Sequence, residues 1–173
     1  TIKDYDTRFQ MYELGFPNKE VENGFMNYLL PYYTPVKKTD TAFFVASFVD
    51  DVEKGNPEQF MKRMQTMFSK TDYKIVGDAE LYFQNAFYLI MTMMGFYTDV
   101  ERTTSEGRID MTVETKDYVY LFEFKLDGTP EEALRQIEAN GYAKPFAMDP
   151  RKLYRIGVNF SSEKRCVDNW KIE

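Results

Sequence analysis

The stretch from Gly107 to Leu126 constrains the fold of this chain more than any other. Ile109, Met111 and Val113 alternate with Arg108, Asp110 and Thr112, and Tyr120, Phe122 and Phe124 alternate with Leu121, Glu123 and Lys125. Each arm has the period of two that marks a β-strand, with one apolar and one charged face. A symmetric turn about Lys116 and Asp117 makes paired residue numbers sum to 233. Thr115 then meets Tyr118, and Asp110 lies directly opposite Glu123.

Directly opposed residues have Cβ atoms only ~5 Å apart, and like charges there destabilise a sheet unless something neutralises them. A hard divalent cation does so, because Mg²⁺ is held by one or two carboxylates together with waters and phosphate oxygens. Lys125 projects from the same face as Glu123. An ammonium in that position orients a water or, with a depressed pKa, takes its proton. The residues alone equally allow an exposed hairpin face on which Lys125 pairs with a neighbouring acid.

In Gly107-Arg108-Ile109-Asp110, Phe122-Glu123-Phe124-Lys125, Glu132-Ala133-Leu134-Arg135-Gln136-Ile137 and Gly141-Tyr142-Ala143, the chain resembles the PD-(D/E)XK nuclease superfamily. More narrowly it is similar to the bacterial branch fused behind an AAA-type ATPase-like domain. The ordered set of segments covers about a hundred residues and is more specific than a lone acid-x-Lys triplet. The resemblance implies that Asp110 and Glu123 bind Mg²⁺ or Mn²⁺ and that Lys125 assists the attacking water. It also implies nucleic acid as substrate, DNA in the first place, and an ATPase-like domain as partner.

The chemistry available to the chain is narrow. It has 173 residues, no histidine and one cysteine, so Cys/His, Ser/His/Asp and His-bearing zinc sites are excluded, leaving carboxylates, lysine and a metal. Cys166 cannot form an internal disulfide, and no signal peptide opens the chain, so a cytoplasmic location is expected. The longest apolar region, Ala86 to Phe96, is too short to span a membrane. A net charge of −6 argues against strong nonspecific attraction to nucleic acid. Charge is uneven, however. Residues 142–173 hold seven Lys or Arg against four Asp or Glu, and the rest of the chain carries −9.

The chain begins at Thr1 without methionine, which reads as a piece of a longer protein, and no Walker phosphate-binding loop is present. Asn18 caps an expected helix with apolar positions Val21, Phe25, Tyr28 and Leu29, ended by Pro31 and Pro35. Further helices are expected from Thr41 to about Lys54 and from Pro57 onward, the latter carrying Phe60, Met64, Met67 and Phe68 as packing surface. Gly77 and Asp78 open a largely apolar helix that runs to Met94 and closes at Gly95. Glu80 and Gln84 lie one turn apart on it. Proximity to the helix N-terminus is enough to explain Glu80, but the resemblance matches it to an acid that completes the metal site.

Phe96 to Glu101 reads as a short strand. Thr129-Pro130-Glu131-Glu132 is a helix start with a capping box, and Gly141 ends that helix. Gln136 and Tyr142 match residues that related nucleases place beside the site, to contact phosphate or orient the lysine; a helix Gln is otherwise simply solvated. Leu153 to Phe160 marks a strand and Arg165 to Ile172 an edge strand. Arg155, Lys144, Arg151 and Lys152 are candidates for a phosphate-facing rim. Gln84, Arg108, Tyr142, Lys144 and Arg155 complete the candidate substrate contacts.

The expected architecture is α/β, with a helical appendage over residues 1–72 and a restriction-endonuclease-like core over 73–173, built on a central mixed sheet flanked by helices. The expected activity is Mg²⁺-dependent phosphodiester hydrolysis, with Asp110, Glu123 and Glu80 on the metal and Lys125 and Gln136 beside them. The alternative is a catalytically silent module of the same fold that binds nucleic acid or protein.

Overall fold

In the computed structural model, which describes residues 2–8, 11–34, 37–69, 79–95, 99–101, 109–164 and 166–173, the hairpin forms about Lys116 and Asp117 in the expected register. Strand β4 (Met111–Glu114) pairs antiparallel with β5 (Tyr118–Leu126), Met111 facing Phe122 and Val113 facing Tyr120. The turn closes through Thr115 N–H to Tyr118 O at 2.9 Å and Tyr118 N–H to Thr115 Oγ1 at 3.1 Å. A two-residue turn leaves no slack for slippage, which is why the register follows from arithmetic on the sequence.

Among the described residues, β3 (Asp99–Glu101), β4, β5, β6 (Lys152–Ser161) and β7 (Cys166–Ile172) form one sheet in that order. β5 and β6 run parallel, and the other pairings are antiparallel. The parallel step needs a crossover, and α5 (Pro130–Ala139) supplies it. Its capping box is complete: Glu132 N–H reaches Thr129 Oγ1 and Thr129 N–H reaches Glu132 Oε2. Gly141, at φ 67°, ends it in the left-handed conformation, with Tyr142 N–H bonded to Ile137 O.

The other sheet face is covered by α2 (Thr41–Glu53), α3 (Pro57–Ser69) and α4 (Ala79–Met94). Phe60 of α3 meets Phe122 at 5.5 Å between ring centroids, Phe87 of α4 meets Phe124 at 4.5 Å, and the Tyr120 hydroxyl donates to Val52 O at 2.6 Å. The result is helices, mixed sheet and helix in three layers, the α/β arrangement expected. The boundary expected near residue 72 falls in 70–78, outside the described residues. One hydrophobic core joins residues on both sides of it.

Several local expectations need correction. Both faces of β5 are buried from Val119 to Glu123, so the hairpin has no solvated charged face. Ile109 packs with Val119 and Leu121 under α5, not with Met111 and Val113, because the chain bends at Asp110 and the alternation breaks there. Helix α1 (Lys19–Tyr33) is capped by Asn18 but buries Met26 and Leu30, while Val21, Phe25 and Tyr28 are exposed. Pro31 lies inside α1, where it removes one N–H near the end, and the helix stops at extended Thr34, the residue before Pro35. An N-terminal hairpin, β1 (Ile2–Asp6) and β2 (Met11–Leu14), precedes it. The expected residues Gly77, Asp78, Phe96, Gly107 and Arg108 lie outside the described residues.

Candidate active site

The site sits at the end of β5 nearest α5. Asp110, just before β4, turns its carboxylate back on the neighbouring strand, where Oδ2 accepts the Phe124 N–H at 2.8 Å. Glu123 is 2% exposed, between the sheet and α5. Its Oε1 lies 3.7 Å from Lys125 Nζ, and its Oε2 is buried without a hydrogen-bond partner. Lys125 Nζ also donates to Gln136 Oε1 in the last turn of α5. Four of the sequence candidates, Asp110, Glu123, Lys125 and Gln136, therefore converge.

Burial pushes the Glu123 carboxyl up to about 7, and the negative charge of Asp110 pushes in the same direction; the Lys125 ammonium and the Asp110 backbone N–H pull it back only in part. A buried carboxylate oxygen with no donor is costly, and such an atom asks for a missing partner. A divalent cation between the two carboxylates fits both the unsatisfied oxygen and the acidic repulsion. Among the described residues no group of three His, Cys, Asp or Glu gathers as a ready metal cage. Two carboxylates with waters and phosphate oxygens suit Mg²⁺ nonetheless, since it rarely takes an all-protein shell. The side chains of Glu80 and Gln84 lie outside the described part of α4.

The remaining candidates spread out. Tyr142 is 2% exposed in the small core with Leu134 and Ile137, and its hydroxyl accepts from Asn140 Nδ2 at 2.8 Å. It is a core residue and not a surface contact. Lys144 is exposed, with its stem across Gly141. Arg155 is paired with Leu121, two residues short of Glu123 on β5, and its guanidinium lies 3.3 Å from the Glu173 carboxylate. Arg151 and Lys152 stand at the turn end of the hairpin, where Arg151 bonds Glu114, Asp149 and Thr115 O and Lys152 covers the Tyr154 ring. Tyr118, the partner of Lys152, is five residues from Glu123, roughly 17 Å along the strand. Among the described residues of the tail, Arg151, Arg155, Lys164 and Lys171 are tied to acids rather than gathered at the site.

Two residues shaping the site were not singled out in the sequence. Gly157 is the β6 partner of Glu123, and a Cβ there would stand 2.2 Å from Pro130 O. Its bare backbone lets α5 sit down on the sheet; a glycine within a strand pattern was the available signal. Asn159, the partner of Lys125, is the second, an amide in the apolar run Ile156 to Phe160.

The sequence profile of the PD-(D/E)XK nuclease superfamily matches residues 78–170. A relative described as "Uncharacterized protein in vnfD 5'region", from Azotobacter chroococcum mcd 1, is 31% identical over 177 residues, covering 94% of this chain. The chain spans 33% of the length of that relative. No solved structure matches it. With a profile match across more than half its length, on the segment that carries Asp110, Glu123 and Lys125, the chain belongs to the PD-(D/E)XK nuclease superfamily.

Proposed function

We propose that this chain hydrolyses phosphodiester bonds in nucleic acid, DNA in the first place, with a divalent cation held by Asp110 and Glu123 and assisted by Glu80. The observation that carries this reading is the Glu123 carboxylate, buried with one oxygen unpartnered and set against Asp110. Mg²⁺ or Mn²⁺ at these carboxylates would supply charge against the scissile phosphate and acidify water. Asp110 and Glu123 would hold the cation in place. Lys125, anchored by Gln136, presents its head group on the same side as Glu123, where the ammonium would position the attacking water by donating to it or, as the neutral amine, would accept that water's proton. Glu123 itself is buried on the strand face that also carries Leu121, so its charge acts in a low dielectric, while Asp110 is exposed on the solvent side of the pair. Lys144 and Arg155 are the remaining candidates for contact with the nucleic-acid backbone. Arg108 and Gln84 stand with them on the sequence resemblance alone.

The upstream ATPase-like domain and the bacterial cytoplasm belong to the same proposal, and a relative of about three times the matched length leaves room for such a domain. The test is incubation with plasmid, linear DNA and RNA in Mg²⁺ or Mn²⁺, alongside Asp110→Ala and Lys125→Met. Cleavage by the wild type that is lost in both variants is the expected result. Cleavage that survives both substitutions would remove the site assignment. Absence of cleavage in every metal, with nucleic-acid binding retained, would favour a silent binding module.

A further inference from the structure

Asn159 is an oddity in β6: a side-chain amide, 5% exposed, on the face that carries its partner Lys125 and opposite to the face of Ile156, Val158 and Phe160. Buried amides need partners, and its Oδ1 accepts the Gly128 N–H at 2.8 Å. Gly128 lies just beyond β5, and a Cβ on it would stand 3.0 Å from Lys125 Cβ and 3.5 Å from Cγ. The Gly128 backbone is therefore laid directly on the stem of Lys125. Its predecessor Asp127 sits at φ 52°, a left-handed conformation that few side chains other than Asn and Asp adopt. Asp127 N–H donates to Phe160 O at 2.8 Å, and its carboxylate accepts both Ser162 N–H and the Ser162 hydroxyl. The β6–β7 register shifts between Asn159 and Phe160, and bulges of this kind re-aim side chains.

We propose that Asn159, with Asp127, is a positioning pair for Lys125: together they clamp the Asp127–Gly128 backbone over the lysine stem and confine its ammonium to the corner between Glu123 and Gln136. Without the clamp, the loop lifts and a long, flexible side chain regains its rotamers. The kinetic part of this inference rests on the nuclease reading; the structural part does not.

The test uses the chain labelled with ¹³C at lysine Cε, the Lys125 signal being assigned with Lys125→Met. In the wild type this signal is expected to show the two inequivalent Hε protons of a held side chain. In Asn159→Ala it is expected to move toward the narrow, averaged signals of exposed lysines, and in Asp127→Gly to move part of the way. Asn159→Asp keeps the acceptor and is expected to restore the held signal. In cleavage assays Asn159→Ala is expected to lose roughly 10²-fold in kcat with KM for DNA unchanged, as a displaced group does. A Lys125 signal unchanged in both Asn159→Ala and Asp127→Gly overturns the proposal, even where thermal stability has fallen. Should Asn159→Ala fail to fold, Asp127→Gly decides alone, because glycine takes φ 52° without strain. Should no form cleave nucleic acid, the nuclease reading fails while the Lys125 signal still decides this one.

Discussion

Asp110 Oδ2 accepts the backbone N–H of Phe124 at 2.8 Å, so the acid at the foot of β4 is fastened to β5 between Glu123 and Lys125. This bond gives Asp110 a structural duty separable from the cation binding proposed for it. Asp110→Asn retains an acceptor and is expected to melt close to the wild type without metal. Asp110→Ala loses the bond, about 1 kcal/mol, or roughly 2–4 °C in a chain of this size. Both are expected to lose cation binding. Circular-dichroism melts and metal titrations of the two variants check this.

Glu123 gives a pH dependence of definite sign. Its carboxyl stands at about 7 in the folded chain against an ordinary value of 4.5. Between those values the folded state holds a proton that the unfolded state has released, so metal-free stability falls as pH rises from about 4.5 to about 7 and is level above. The whole effect is of the order of 3 kcal/mol. Glu123→Gln is expected to flatten this slope and to be more stable than the wild type at pH 8 without metal. Adding Mg²⁺ at pH 8 is expected to raise Tm in the wild type and not in Glu123→Gln. Denaturant titrations from pH 4.5 to 8.5 measure both effects.

The hairpin register and the start of α5 were legible because each is set by local chemistry: a two-residue turn fixes the pairing of Met111 with Phe122, and Thr129, Pro130 and Glu132 write out a capping box. Faces were less legible where tertiary packing decides them. The bend at Asp110 sends Ile109 under α5, and α1 buries Met26 and Leu30 although Val21, Phe25 and Tyr28 have the same spacing. A single helical period cannot say which of two apolar stripes meets the core. The contacts of Lys125 with Gln136 and Gly128 arise from the α5 crossover and its loop, and only the fold sets their distances.

Gly157→Ala puts a methyl group into the Pro130 carbonyl, which stands 2.2 Å from the ideal Cβ. Relief requires α5 to lift from β6, and overpacking of this kind costs about 1–3 kcal/mol. Cleavage is expected to fall as well, since Gln136 rides on the same helix. Thermal unfolding combined with the Lys125 Cε signal separates the loss of stability from the displacement of the helix.

Arg151 distinguishes a clamp from a rim. Asp149 is drawn down to about 2 by the Arg151 guanidinium, which also bonds Glu114 and Thr115 O across the hairpin turn. Arg151→Ala is expected to destabilise by about 1–2 kcal/mol through these lost bonds. The affinity for DNA and its salt dependence are expected to stay as in the wild type, because a guanidinium already paired with two acids adds little to counterion release. Fluorescence-anisotropy titrations at several salt concentrations check this.

The most direct measurement is Mn²⁺ binding followed by electron paramagnetic resonance in the wild type, Asp110→Ala and Glu123→Gln. If Asp110 and Glu123 hold the catalytic cation, the wild type binds Mn²⁺ at pH 8, Mg²⁺ displaces it, and both variants lose the bound signal while remaining folded. Undiminished Mn²⁺ binding in the two variants would contradict the assignment of these carboxylates.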